Sequence, residues 1–206
     1  MSAIEPNYAA RRRRKEETRS TILQAAADTF YREGIASVSM EEIAAAAGVS
    51  KPTLYKHFST KELVVSECLS SVDEKHFRWF VDQLGHAESN TELPAVAVFD
   101  VLDKWINSRS FHGCTFINAS VQVGKTNPDA QLAVFRHKDR TRTWLLELVE
   151  DSGIRAGSSR ELADHLMLLM EGAIITALVE DDHQAAQRAK RAAVILVEAE
   201  KMSVDN

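Results

Sequence analysis

The sequence predicts an all-α protein of about nine helices, a three-helix N-terminal domain with a helix-turn-helix followed by a larger C-terminal helical bundle. Three observations carry this. Turn formers are scarce, with eight glycines and four prolines in 206 residues, and long Ala, Leu, Glu and Arg runs favour helices over strands. Apolar residues recur at i, i+3 and i+4, the period of a helix buried along one side. No convincing strand alternation, internal repeat or low-complexity tract interrupts that pattern.

The elements follow in order. Ile22, Leu23, Ala26, Ala27 and Phe30 form the first stripe, and Gly34 follows a charged last turn as a C-terminal cap. "SMEEIAAAAG" opens with Ser39 and carries Glu42 three residues on, a capping box for a helix that Gly48 ends. A helix so short depends on its neighbours. Ser50 then caps a third helix with Pro52 in its first turn. Ser59 with Glu62 suggests another capping box, opening a long fourth helix toward Leu84 and Gly85.

Beyond it, "ELPAVAVFDVLDKWI" starts at Pro94 and sets Val98, Leu102, Trp105 and Ile106 on one side. "CTFINASVQVG" is a short apolar helix ended by Gly124, and Asn127-Pro128 caps the next, through Leu132, Phe135, Leu145 and Leu148. Ser158 with Glu161 opens "ELADHLMLLMEGAIITALV", and Asp182 opens the last helix. The last two helices carry the stripes Leu162, Leu166, Leu169, Ile174 and Leu178, then Ala186, Ala189, Ala193, Leu196 and Val197. These stripes suit either closure of the domain core or pairing with a second copy.

Composition narrows the class. At 45% apolar and 27% charged, the chain reads as a soluble globular protein. "HLMLLMEGAIITALV" is broken by Glu171 and falls short of the roughly 18 residues that cross a bilayer, so no membrane partner is expected. No apolar core follows the N-terminal basic run, so no secretory signal is read. Cys68 and Cys114 stand far apart without metal-ligand spacing. A reduced, cytoplasmic protein without cofactor or metal is the expectation. No phosphate loop, G-x-S-x-G turn or H-E-x-x-H helix points to an enzyme, so no catalytic residue is assigned. His112 beside Cys114 could form a nucleophile pair, although a small apolar Cys at a helix start is the commoner case.

The net charge of −5 conceals an asymmetry: residues 1–62 hold ten Lys and Arg against eight Asp and Glu, while residues 63–206 hold fifteen against twenty-two. Half of the N-terminal cations form "RRRRK", Arg11 to Lys15, read either as a solvated tail or as a phosphate-tracking arm. The stretch "GVSKPTLYKHFSTK" then asks for a specific answer. It is too charged for a buried helix and too aromatic for a linker. Two short helices around a glycine turn, braced by a longer one, form a helix-turn-helix, whose second helix enters the major groove. Leu54 and Phe58 face the small core, leaving Lys51, Pro52, Thr53, Lys56 and the Tyr55 hydroxyl toward DNA.

From about Thr18 to Leu63 the chain resembles the TetR family of transcriptional regulators, through "AAADTFYREG" and "SMEEIAAAAGVSKPTLYKHFSTKEL". The resemblance implies an Ω-shaped homodimer, joined through the last two helices, that binds a palindromic double-stranded DNA operator. It also implies a C-terminal domain that takes a small-molecule effector, and repression relieved by that effector. On matching positions it places Lys51, Pro52 and Thr53 at base edges and Tyr55, His57 and Lys61 at phosphates. Met40 and Glu41 stand where helix two would approach DNA. The expected division is a basic arm at 1–15, the DNA-binding domain at 16–66, and a ligand-binding and dimerisation domain at 67–206. An apolar or amphipathic effector would meet Trp105, Phe111, Phe116, Met167 and Met170. Asn118 and Glu171, polar within apolar runs, are its candidate anchors. A helical partner-binding protein or a small-molecule enzyme with an idle DNA motif is the alternative reading. A gel shift on the upstream intergenic DNA separates these readings.

Overall fold

The computed structural model describes residues 5–87, 93–123 and 126–202, and these form nine helices. In chain order they are α1 (Glu5–Glu33), α2 (Met40–Ala46), α3 (Lys51–His57), α4 (Lys61–Ala87), α5 (Pro94–Ile106), α6 (Thr115–Val123), α7 (Pro128–Asp151), α8 (Ala156–Glu180) and α9 (Ala185–Met202). Gly124, expected to end α6, lies outside the described residues.

The helices group into two compact units. One comprises Met1–Asp73 and Thr115–Val134, the other Glu74–Cys114 and Phe135–Asn206. These units divide the chain elsewhere than the expected boundary after residue 66: the first keeps the start of α4 and includes α6. Two side chains make that inclusion intelligible. Gln122 on α6 accepts the Ala36 amide through Oε1 at 3.2 Å, and the buried Asn127 donates through Nδ2 to the Glu62 carbonyl at 3.1 Å. Long-range hydrogen bonds of this kind leave no trace in a local pattern.

In the first unit, α1 packs on α2 and α2 on α3, over a core that fully buries Ile22, Ala26, Ile43, Leu54 and Phe58. Residues 11–15, the basic run within the expected arm of residues 1–15, are helical. They lie within α1, which is continuous from Glu5, and are exposed along it. The capping box of α2 is present: Ser39 Oγ accepts the Glu42 amide at 3.2 Å and the Glu42 carboxylate accepts the Ser39 amide at 2.7 Å. Gly48 adopts φ +65°, the left-handed turn that separates α2 from α3. Ser50 caps α3 by accepting the Thr53 amide at 3.3 Å. The next cap differs from expectation. Thr60, not Ser59, accepts the Leu63 amide at 3.2 Å, so α4 starts one residue later and Glu62 has no capping-box role.

In the second unit, α5 packs against α8 and α9, which pack on each other. Val98, Phe99, Val101 and Leu102 are fully buried there. α8 begins at Ala156, ahead of Ser158, after an Arg155 N-cap without a side-chain hydrogen bond. Gly157–Glu180 is long and apolar enough to cross a bilayer by length and composition, against the expectation drawn from Glu171. Here it is a wall of the unit, held by α5 and α9. The apolar side chains of α8 and α9 divide between the expected stripes and positions outside them. Leu162, Leu166, Ile174, Ala186, Ala193 and Val197 are buried in the unit's own core, whereas Leu168, Val179 and Ile195 are 67%, 73% and 66% exposed.

Candidate nucleic-acid interface and ligand cavity

The face of α3 is built by its cap and its core. Ser50 sets the first turn, and Leu54 with the following Phe58 anchors the inner side. Lys51, Pro52, Tyr55 and Lys56 are thereby left in water on the outer side. Lys51 forms an ion pair with Glu41 of α2, and its Nζ lies 5.9 Å from the Tyr55 ring centre. The hydrogen bond from Lys51 lowers the Glu41 carboxyl below its ordinary range, and the same bond raises Lys51. Thr53 is half-buried, its Oγ1 2.8 Å from Ser50 Oγ. Lys61, also half-buried, reaches the Ala36 carbonyl at 3.5 Å.

Two residues sit differently from expectation. Met40 is 7% exposed and belongs to the core of the first unit, so its side chain is not available to a base edge. The reason is its place at the first position of α2, on the same face as Ile43 and Ala44. His57 is half-buried, with Nδ1 buried and without a hydrogen-bond partner. Burial lowers its imidazole from the ordinary value, and the charges of Lys15, Arg19 and Lys56 lower it further. Two of those cations come from α1, so the basic helix influences the recognition region even where it makes no contact with a base.

The second unit holds a cavity of about 50 Å3, room for a few water molecules. Phe77, Phe80, Trp105 and Trp144 form its aromatic wall, and Met167 and Met170 line it from α8. Phe80 and Trp105 meet edge to face at 5.8 Å, as do Phe77 and Trp144 at 5.6 Å. The polar lining comprises His76, His137, Thr141 and an ion pair between Lys138 Nζ and Glu171 Oε1 at 2.6 Å. Cys114 also lines the cavity and is buried.

Of the expected ligand residues, Trp105, Met167, Met170 and Glu171 meet in this cavity. Phe111 does not line it but supports Trp105 edge-on at 5.2 Å. Phe116 and Asn118 are on α6 in the first unit, where Phe116 is core, so neither contributes. Sequence reasoning missed the α4 and α7 walls. The signal was present: His137, Thr141 and Trp144 fall at i, i+4 and i+7, one face of a helix. Among the described residues no cluster of His, Cys, Asp and Glu could hold a metal ion.

A second depression, open along α8 and α9, runs between Leu168, Leu169, Gly172 and Thr176 on one side and Arg188 and Ala192 on the other. It borders the exposed apolar side chains of both helices.

Comparison with known proteins matches two successive stretches of the chain. Residues 22–68 fit the model of bacterial regulatory proteins of the tetR family, and residues 94–192 fit that of the LmrA/YxaF-like transcriptional regulator C-terminal domain. ArpR, an HTH-type transcriptional regulator of Pseudomonas putida, is 32% identical over 138 residues, 59% of this chain and 63% of its own length. TtgR, an HTH-type transcriptional regulator also of Pseudomonas putida, is 31% identical over the same shares. The chain therefore spans less than two thirds of the curated relatives it matches first. The crystal structure of SCO4454, a TetR-family transcriptional regulator from Streptomyces coelicolor, has a TM-score of 0.75 at 26% identity, covering 90% of this chain and 96% of that one. With both halves matched and the helix-turn-helix in place, the chain belongs to the TetR family of bacterial regulatory proteins.

Proposed function

We propose that the chain is a dimeric transcriptional repressor, working in the bacterial cytoplasm, that leaves a two-fold DNA operator when a small molecule fills the cavity of its second unit. The observation that carries this is the α3 face, with Lys51, Pro52, Tyr55 and Lys56 in water above a core fixed by Leu54 and Phe58. Buried anchors hold the helix rigid, and the outer groups are free to meet a duplex. Lys51, Pro52 and Thr53 read base edges; Tyr55, Lys56, His57 and Lys61 meet phosphates. Thr53 does so by leaving Ser50, and Lys51 by leaving Glu41.

Two continuous helices support control by the cavity. α4 carries Lys61 at one end and Phe77 and Phe80 further on, and α7 runs from the Asn127 cap to Lys138, Thr141 and Trp144. A ligand that displaces either helix at the cavity moves a helix that also bears on the first unit. Dimerisation uses the outward side of α8 and α9, where Leu168, Val179 and Ile195 are exposed, and not the stripe buried in the unit's own core.

Footprinting on the intergenic DNA beside the gene tests the reading. The expected protection has dyad symmetry, because a two-fold protein demands two related half-sites. Protection without symmetry, or a stable monomer in sedimentation at micromolar concentration, overturns the dimeric operator model.

A further inference from the structure

We infer that the cavity takes a flat, uncharged aromatic molecule bearing one hydroxyl, seated with that hydroxyl between Lys138 and Glu171. The inference rests on the reading of the cavity as the effector site and adds the chemistry of the effector.

The argument starts from the ion pair. Lys138 and Glu171 are 2.6 Å apart, with side chains only 21% and 34% exposed. The neighbouring charges are already engaged: Glu74 accepts from Arg140 at 3.0 Å and from Arg78 at 3.1 Å, and the Arg140 guanidinium lies 3.8 Å from the Phe77 ring centre. A charged ligand therefore has to divide Lys138 from Glu171. A carboxylate that takes Lys138 leaves Glu171 beside a like charge. An ammonium that takes Glu171 does the same to Lys138. In either case one ion of this half-buried pair is left poorly compensated, which costs more there than in open water. A hydroxyl avoids it. It donates to the Glu171 carboxylate and accepts from the Lys138 ammonium, so both ions keep a partner and the net charge is unchanged.

The wall selects the rest of the molecule. Phe77, Phe80, Trp105 and Trp144 already meet each other edge to face, the arrangement in which an added flat ring finds both ring faces and ring edges. Met167 and Met170 are the adjustable side of the cavity, and their flexible thioethers can yield to a ring larger than the space of about 50 Å3.

Calorimetric titration of the full chain with three matched probes tests this: 2-naphthol, naphthalene-2-carboxylate and 2-naphthylmethylammonium. At neutral pH 2-naphthol binds at least about tenfold more tightly than either charged probe, the effect of a hydrogen bond to a charged group. In Lys138→Met the order changes to favour the ammonium, and in Glu171→Gln it changes to favour the carboxylate. A charged probe equal to or tighter than 2-naphthol on the parent protein, no heat with any probe, or an unchanged order in both variants overturns the inference. Operator anisotropy keeps the two readings separable. If 2-naphthol binds in the expected order without releasing DNA, the effector reading fails and the ligand class stands. If it does not bind while the operator does, the ligand class fails alone.

Discussion

The two units put polar groups to work in opposite ways. In the first, the groups offered to a partner stand in water on top of a closed core: Tyr55 is 42% exposed while Leu54 and Phe58 beneath it are fully buried. In the second, the groups proposed to meet a ligand are themselves the inner wall, and Trp144, Met167 and Met170 are buried around a gap. A surface site separates recognition from stability, so that a side chain can change without disturbing the fold. A cavity site shares its residues with the fold, and any change of specificity also changes packing.

That contrast can be broken by substitution. The largest effect is expected at Phe58→Ala, which removes a fully buried ring and should destabilise the protein by about 3–5 kcal/mol. Chemical denaturation measures it. A loss below about 1 kcal/mol would mean that α3 does not depend on that anchor. A matched pair comes next. Met40 and Met170 are 7% and 5% exposed, one in a closed core and the other beside the cavity. Met40→Ala should cost about 2–5 kcal/mol, and Met170→Ala about 1 kcal/mol less, because its side chain already lacks neighbours on one side. Equal losses would show that the cavity closes around Met170. Met40→Ala should also leave the preference among DNA sequences unchanged for the folded fraction, since the side chain faces inward.

A smaller effect sharpens the comparison through pH. The His57 imidazole is lowered from its ordinary value near 6.5, chiefly by burial, so the folded protein favours its neutral form. Its contribution to stability is therefore full above pH 6.5 and falls as the pH drops through that value toward the lower folded one, where the unfolded chain binds the proton first. His57→Gln should flatten the slope of stability below pH 6.5; an unchanged slope in thermal melts assigns the dependence to other groups.

The two sites were legible to different degrees for the same reason. The α3 face follows from a local pattern, since Ser50, Pro52, Leu54 and Phe58 fall within one short stretch and each has a fixed meaning in a capped amphipathic helix. The caps at Ser39, Ser50 and Asn127 were legible for that reason too. Met40 escaped because the first residue of a short helix points inward or outward according to its neighbours in space. The cavity is assembled from α4, α5, α7 and α8, and no window along the chain contains Glu171 together with Lys138. Glu171 was recognisable as a polar residue that needs a partner; the partner was not. Phe116 and Asn118 were assigned to the ligand because α6 looked like a piece of the larger domain, whereas Gln122 and Asn127 tie that segment to the first unit.

The pairing of Lys51 with Glu41 bears on how the protein finds its target. A free lysine meeting any stretch of duplex releases a condensed counterion, which holds the protein to DNA regardless of sequence. Lys51 already has the Glu41 carboxylate as its counterion, a negative charge on the face proposed to meet the duplex. Under the proposed function, α3 therefore gains less from a wrong sequence than it would with a free lysine, and the exposed Lys51–Glu41 pair opens at small cost where base contacts form. Single-molecule tracking on operator-free DNA should show longer dwell times for Glu41→Gln than for the parent; equal dwell times would remove Glu41 from this role. Under the proposed function, Glu41 shortens each unproductive stop and so quickens the search of a genome.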